Sequence, residues 1–168
     1  MDKIIIRPAT MNDIDEIVNI HVYSKYETYY NIWDHAYLQH LLDTIEEKKA
    51  DVRKNFTNNH YLVATMDGRV IGFARYLYDS EYHNADSELC SLYVKNDCKH
   101  LGVGSRLFKH VKNDLIANGK KKMVLWCLKD NYKAIGFYYK NKGVVDSEST
   151  LNFGGKEYDA FAFVYELN

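Results

Sequence analysis

The chain has a single proline among its 168 residues and only three cysteines. Cys90, Cys98 and Cys127 are odd in number and widely spaced, which argues against a disulfide framework. With His100 they could suggest zinc, yet no C-x-x-C or H-x-x-x-H pairing exists, so buried or incidental thiols are expected and no metal site. Charge of one sign is also lacking. Lys plus Arg number 22 against 23 Asp plus Glu, a formal net charge of -1. A nucleic-acid binder needs a basic excess or stripe. The densest basic run, Lys120-Lys121-Lys122 beside Gly119, reads as a solvated turn. No window reaches the ~18 apolar residues of a membrane span. The opening Met1 to Pro8 has too short an apolar run for a signal peptide's core. Neither nucleic acid nor membrane is therefore expected as a partner, and the cytoplasm is the expected compartment.

Repeats, low-complexity segments and linkers are absent too, so residues 1–168 read as one domain. Hydrophobic residues make up 46% and charged residues 27%, an ordinary globular balance. The abundant residue is tyrosine, with 15 copies, and Tyr23, Tyr26, Tyr29, Tyr30 and Tyr37 crowd one stretch. Tyrosine joins an apolar ring to a polar tip, so such a crowd can line a wet cleft or pack a helix on a sheet.

Ile4 to Ile6 read as a first strand stopped by Pro8, and Thr10 with Asp13 as a carboxylate variant of the capping box. Ile14, Ile17, Val18 and His21 follow at helical spacing to about Tyr23, and a second helix is expected over about Ala36 to Val52. Tyr61 to Met66 and Val70 to Tyr78 flank Asp67-Gly68-Arg69, a hairpin signal. Ser87 to Val94 reads as a strand. Gly102 to Asn118 reads as a helix ended by Gly119. Met123 to Leu128 is continuously apolar, as a strand covered on both faces should be. A short helix over Asn131 to Asn141 and a hairpin of Val144 to Leu151 with Glu157 to Leu167 complete the chain. The order is β-α-α-β-β-β-α-β-α-β-β. It predicts an α/β (α+β) domain with a mixed sheet of about seven strands and about four flanking helices.

Between the strand at Ser87 and the helix at Gly102 lies Val94-Lys95-Asn96-Asp97-Cys98-Lys99-His100-Leu101-Gly102-Val103-Gly104-Ser105. First-turn N–H groups lack intrahelical partners and carry partial positive charge, and glycine lets an anion approach them. A pyrophosphate is the natural guest. Taken alone, the loop reads first as a glycine-softened turn, because the third glycine of a dinucleotide fingerprint is replaced by Leu107 and no G-K-[ST] follows. Downstream stands Asn131-x-x-Ala134-x-x-Phe137-Tyr138, ending at Gly143.

With both motifs in place, the chain resembles the GNAT superfamily of acyl-CoA N-acyltransferases over nearly its whole length. The family pattern is a strand, [RQ]-x-x-G-x-[GA] opening a helix, a second strand, and N-x-x-A-x-x-F-Y on a short helix. Here the parts are Leu89 to Val94, Lys99-x-x-Gly102-x-Gly104, Met123 to Leu128 and Asn131 to Gly143. Two departures are Lys99, where Arg or Gln is usual, and Val144, where an aromatic often follows the Gly.

The resemblance implies acetyl-CoA as co-substrate and direct attack of an amine on the thioester. It assigns the pyrophosphate to the amides of Lys99, His100, Leu101, Gly102, Val103, Gly104 and Ser105. The pantetheine arm would lie along Leu92, Tyr93 and Val94 as an added strand, with Asn131 and Ala134 across the cleft. A main-chain N–H at a bulge in the Glu88 to Val94 strand would serve the oxyanion. Tyr138 is the candidate acid for the thiolate, or one more packed tyrosine. Glu88 is the candidate base, or a strand-end carboxylate beside a water relay; plain alternation puts it on the face of Cys90, Leu92 and Val94. Acceptor specificity in the family sits around about Tyr23 to Leu42, Tyr76 to His83 and the last hairpin. Tyr29, Trp33 and Tyr76 are the candidate acceptor contacts, and a small amine or polyamine the candidate acceptor. An acyl-CoA-binding regulatory module without turnover and a peptide N-terminal acetyltransferase are the alternatives. Homodimers are common in the family, and nothing in these residues decides the point.

Overall fold

A computed structural model describes residues 3–168. Its strands are β1 (Ile5–Pro8), β2 (His60–Met66), β3 (Arg69–Leu77), β4 (Ser87–Val94), β5 (Lys122–Leu128), β6 (Val144–Phe153) and β7 (Lys156–Glu166). Its helices are α1 (Ile14–Tyr29), α2 (His35–Asp43), α3 (Ile45–Asn55), α4 (Val103–Ala117) and α5 (Tyr132–Lys140). All seven strands form one mixed sheet in the order β1-β2-β3-β4-β5-β7-β6, as the sequence predicts.

Five helices replace the expected four. The expected second helix breaks at Thr44, whose φ of -105° and ψ of 18° leave the helical region. Its hydroxyl bonds back to the His40 carbonyl at 2.7 Å, which closes α2 and frees α3 to turn. The first helix runs past Tyr23 to Tyr29, because no Gly or Pro interrupts Ser24 to Thr28. The first strand ends at Pro8 as expected, with the proline as its last residue at the sheet edge, where no ladder donor is needed. The Thr10–Asp13 box forms as expected: Thr10 N and Oγ1 donate to Asp13 Oδ2 at 2.7 and 3.1 Å. Arg7 clamps the same carboxylate with two bonds of 2.8 and 2.9 Å.

One sheet face carries α4 and α5, over Leu89, Leu107, Phe108, Leu125 and Phe163. The other carries α1, over Val63, Phe73 and Tyr93. Two irregularities in β4 shape what lies between. Arg75 pairs with Ser91 and Tyr76 with Leu89, so Cys90 is an extra residue in a β-bulge. On the other edge, β4 pairs with β5 in parallel only at Ser87↔Met123 and Glu88↔Val124, then the strands part. β5 continues along β7 instead, from Lys122 to Leu128. A gap is thus built into the middle of the sheet.

The bulge changes one expected facing. Leu89, Leu92 and Val94 all pack with the α4 cluster, whereas Tyr93 packs with α1. The extra residue resets the alternation, so Glu88 lies on the face opposite Leu92 and Val94, not the same one.

Candidate active site

Where β4 leaves β5, a cavity of about 90 Å³ opens. β4 supplies Leu89 to Tyr93, β5 supplies Leu125 to Cys127, α5 supplies Asn131, Ala134 and Tyr138, and α1 supplies Tyr29. Asn131 caps α5, its Oδ1 accepting from Ala134 N at 3.3 Å, while its Nδ2 donates to Tyr29 Oη at 3.3 Å. Both ends of that carboxamide are therefore used in fixing the wall. Burial raises the phenol of Tyr138 far above its ordinary pKa, aided by the neighbouring Cys127, so it stays protonated. Burial likewise pushes the Cys127 thiol up to about 12, and that thiol is inert.

A second cleft, of about 430 Å³, adjoins the first through Trp126. It is lined by Leu77, Asp79, Ser80, Glu81, Tyr82 and Glu88. Burial raises the pKa of Glu88, Arg75 opposes that, and Glu81 and Asp79 add to it. Tyr82 packs edge-on against Trp126 at 5.7 Å and is anchored to Asp146 and Ser147 of β6. Tyr138 and Glu88 thus face different cavities on the two sides of one tryptophan.

The loop before α4 ends the gap between the strands. His100 and Gly102 have φ of 69° and 75°, so its amides turn inward in succession rather than along a strand. Among the described residues, no backbone N–H from His100 to Ser105 finds a protein partner. Lys99 N is different, bonding to Asn96 O at 3.3 Å, so the free run starts one residue later than expected. Gly102 needs glycine for its φ. Gly104 does not: a Cβ there would meet Phe137 and Val94 only at 3.8 and 3.9 Å, ordinary contact distances. Nothing inside the chain explains that glycine.

Residues 22–143 match the model of the acetyltransferase (GNAT) family. The chain belongs to that family. An uncharacterized N-acetyltransferase of Bacillus subtilis is 28% identical over 134 residues, covering 79% of this chain and 76% of its own. Another, from Archaeoglobus fulgidus, is 26% identical over 144 residues, covering 79% and 88%. Among solved structures, the PaiA N-acetyltransferase of Thermoplasma acidophilum in complex with coenzyme A superposes with a TM-score of 0.78. It is 21% identical and the match covers 98% of this chain and 99% of that one. In this GNAT chain the parted β4 and β5, the loop before α4 and the first turn of α5 meet around one gap.

Sequence reasoning misplaced two of the acceptor candidates. Tyr76 is 3% exposed, and its hydroxyl donates to Asp114 of α4 at 2.8 Å, so it faces away from both cavities. Trp33 is 4% exposed, stacked between Tyr29 at 4.1 Å and Phe153 at 4.4 Å, and lines neither cavity. Tyr29 lines the inner cavity rather than the outer cleft. Trp126 and Ser91 line the site without having been singled out, and Cys90, read from sequence only as an incidental thiol, lines it too. Their one sequence signal was membership of the two strands that carry the family pattern. Among the described residues there is no cluster of three metal-ligating side chains and no helix long and apolar enough to cross a membrane.

Proposed function

We propose that this chain transfers the acetyl group of acetyl-CoA to a primary amine of a small molecule, in a ternary complex. One observation carries the reading: β4 keeps its inner edge unpaired beside a run of unpartnered amides, in line with a glycine that no internal contact requires. An extended, amide-bearing arm that ends in a pyrophosphate fits that combination of strand edge and helix start.

In this reading the amides of His100 to Ser105 hold the pyrophosphate, with Lys99 beside them. Leu92, Tyr93 and Val94 offer the strand edge to the pantetheine. Asn131 acts by holding Tyr29 and the first turn of α5 in place, and Ala134 faces the arm. The thioester then sits in the inner cavity, and the acceptor enters through the outer cleft past Trp126. A main-chain N–H in the bulge at Cys90–Ser91 polarises the carbonyl as the C–N bond forms. As the C–S bond breaks, Tyr138 gives its proton to the leaving thiolate. Glu88 takes the proton that the amine loses, directly or through water. Having the acid and the base on opposite sides of Trp126 suits the two ends of the reaction.

The outer cleft supports a small acceptor. Its volume lies at the lower end of the range for small-molecule sites. The β6–β7 turn also closes over α2, with Lys156 bonded to Asp34 at 2.8 Å. Calorimetric titration with acetyl-CoA, CoA and 3′-dephospho-CoA tests the cofactor. Micromolar binding of acetyl-CoA is expected. No binding refutes the reading. Acetylation of a peptide N-terminus but of no small amine would transfer the activity to polypeptide acceptors, and tight binding without any acceptor would make the chain a regulatory module.

A further inference from the structure

Burial of a charged side chain without a counter-ion is costly, and buried donors are normally paired. The α1 side of the sheet breaks both expectations in one place. Along α1, His21, Lys25 and Tyr29 recur every fourth residue and so share the face turned to the sheet. His21 packs on Tyr93 and Phe73 at 5.1 and 5.6 Å between ring centres, and Tyr29 lines the inner cavity. Lys25 stands between them, its ammonium 5.9 Å from the centre of the Trp33 ring. Opposite, Arg75 projects from β3, paired in register with Ser91.

Among the described residues no carboxylate forms an ion pair with Lys25 or with Arg75. Burial pushes the pKa of Lys25 down to about 8, and the charges of Lys48 on α3 and of Arg75, both positive, add to that. His21 is held neutral, chiefly by burial. Arg75 lies against the Cys90 thiol and the Tyr61 phenol. Glu88 is near enough for Arg75 to lower its pKa, but it forms no ion pair. Two buried side-chain nitrogens lack a hydrogen-bond partner among the described residues, Arg75 Nε and Trp33 Nε1. Both belong to the side chains that flank Lys25. An ammonium, a guanidinium and an indole N–H are donors only. Arg75 Nε and Trp33 Nε1 lack an acceptor, and Lys25 lacks a negative charge.

We propose that Lys25 and Arg75 hold an anionic group, a carboxylate or phosphonate, on the same small molecule whose amine is acetylated. The proposal rests on the acetyltransferase reading of the site. Arg75 and Leu77, the register partner of Glu88, are two residues apart on β3, about 7 Å. Arg75 and Glu88 therefore stand one alternate position apart across β3 and β4, close enough for one small molecule to reach both. The acceptor's ammonium would enter past Asp79, Glu81 and Glu88, and its acid group would lie deeper, against Lys25 and Arg75. A polyamine, with a second positive charge and no acid, would place that charge against Lys25 and Arg75.

The test is a matched acceptor panel: an α-amino acid, its carboxamide, the amine lacking the carboxyl group, the corresponding aminophosphonate, and spermidine. Released CoA thiol gives kcat/KM for each in the wild type, Lys25→Met, Arg75→Met and the charge-keeping Arg75→Lys. The wild type is expected to prefer an acid-bearing acceptor over its carboxamide. In Lys25→Met that preference should shrink about 10- to 100-fold, the worth of a charge-assisted hydrogen bond, and mainly through KM. Arg75→Lys should retain more of the preference than Arg75→Met. The carboxylate and phosphonate arms show which acid the site takes. Equal rates with acid and carboxamide, or spermidine as the best acceptor, would overturn the proposal while leaving the transferase intact. So would a preference that survives Lys25→Met. Calorimetry of the amino acid with CoA-saturated enzyme gives a second readout that needs no turnover. Failure to bind acetyl-CoA would instead strike the transferase reading.

Discussion

Gly104 separates folding from ligand binding, because its backbone and surroundings give opposite expectations for the two. It is the second residue of α4, and its φ is not positive. An added Cβ would lie 3.8 Å from Phe137 Cε2 and 3.9 Å from Val94 Cγ2, contact without overlap. In the folded chain alanine therefore fits, and it narrows the unfolded ensemble. Gly→Ala at such a site stabilises by about 0.4–1 kcal/mol, which for a domain of this size raises Tm by about 1–4 °C. The same methyl would stand among the unpartnered amides of His100 to Ser105 and hold a phosphate oxygen away from them. Losing one charge-assisted hydrogen bond there weakens acetyl-CoA binding by about 10- to 100-fold. Differential scanning calorimetry and isothermal titration on Gly104→Ala measure the two effects on one preparation. Gly102→Ala is the control, since φ of 75° makes alanine strained there and stability should fall by about 1–2 kcal/mol. Wild-type acetyl-CoA affinity in Gly104→Ala would refute the assignment of the loop to the pyrophosphate. A fall in Tm would refute the account of why the glycine is there.

Three further outcomes follow from the same geometry. Tyr138→Phe removes the proton donor from the inner cavity and should lower kcat by about 100-fold, with acetyl-CoA affinity changed less than about twofold; wild-type turnover would end the assignment. Glu88 must be deprotonated to act as a base, and burial raises its pKa, so kcat/KM should fall as pH drops through that raised value. In Glu88→Gln the acid limb should disappear, and an unaltered pH profile would remove Glu88 as base. Asp13 is held down to about 2, chiefly by its hydrogen bond with Arg7, against an ordinary value of 3.8. A depressed carboxylate stabilises the fold above its unfolded pKa and loses that effect as pH falls through the folded one. Because Arg7 is partly exposed, the contribution at neutral pH is about 1–2 kcal/mol, and urea melts of Asp13→Asn should converge with wild type between about pH 4 and pH 2.

Most of the architecture was legible because the strands and helices carry clean periods. The continuous apolar run of β5, the Asp67–Gly68 turn and Gly119 after α4 each match what the structure shows. Reading failed where function or a single hydroxyl intervened. The period of α1 stopped at Tyr23 because the inward positions beyond it are Lys25 and Tyr29, a cation beside the Trp33 ring and a phenol that lines the inner cavity, instead of aliphatic core. Thr44 broke a helix that its flanking leucines would have continued. Arg75 carried no signal in the sequence, and its place opposite Ser91, beside the bulge, follows only from the pairing of β3 with β4. Tyr76 failed in the other direction: its neighbours in sequence line the cleft, but strand alternation turns its own hydroxyl to Asp114.

The bulge at Cys90 ties these observations together. Without it, alternation through Cys90 would place Glu88 on the α4 face with Leu92 and Val94. With it, Leu92 and Val94 keep their core contacts to α4 while Glu88 is free to face the outer cleft. One inserted residue thereby lets β4 serve the core along one half and the cleft along the other. The parting from β5 begins immediately after Glu88, at the same end of the strand. Deleting Cys90 would leave Ser91 opposite Arg75, Leu89 opposite Tyr76 and Glu88 opposite Leu77, so it would remove the bulge while Glu88 kept its face. In the chain as it stands, a carboxylate in the cleft and an unpaired edge in the gap depend on two irregularities within a few residues, neither of which a period in the sequence can reveal.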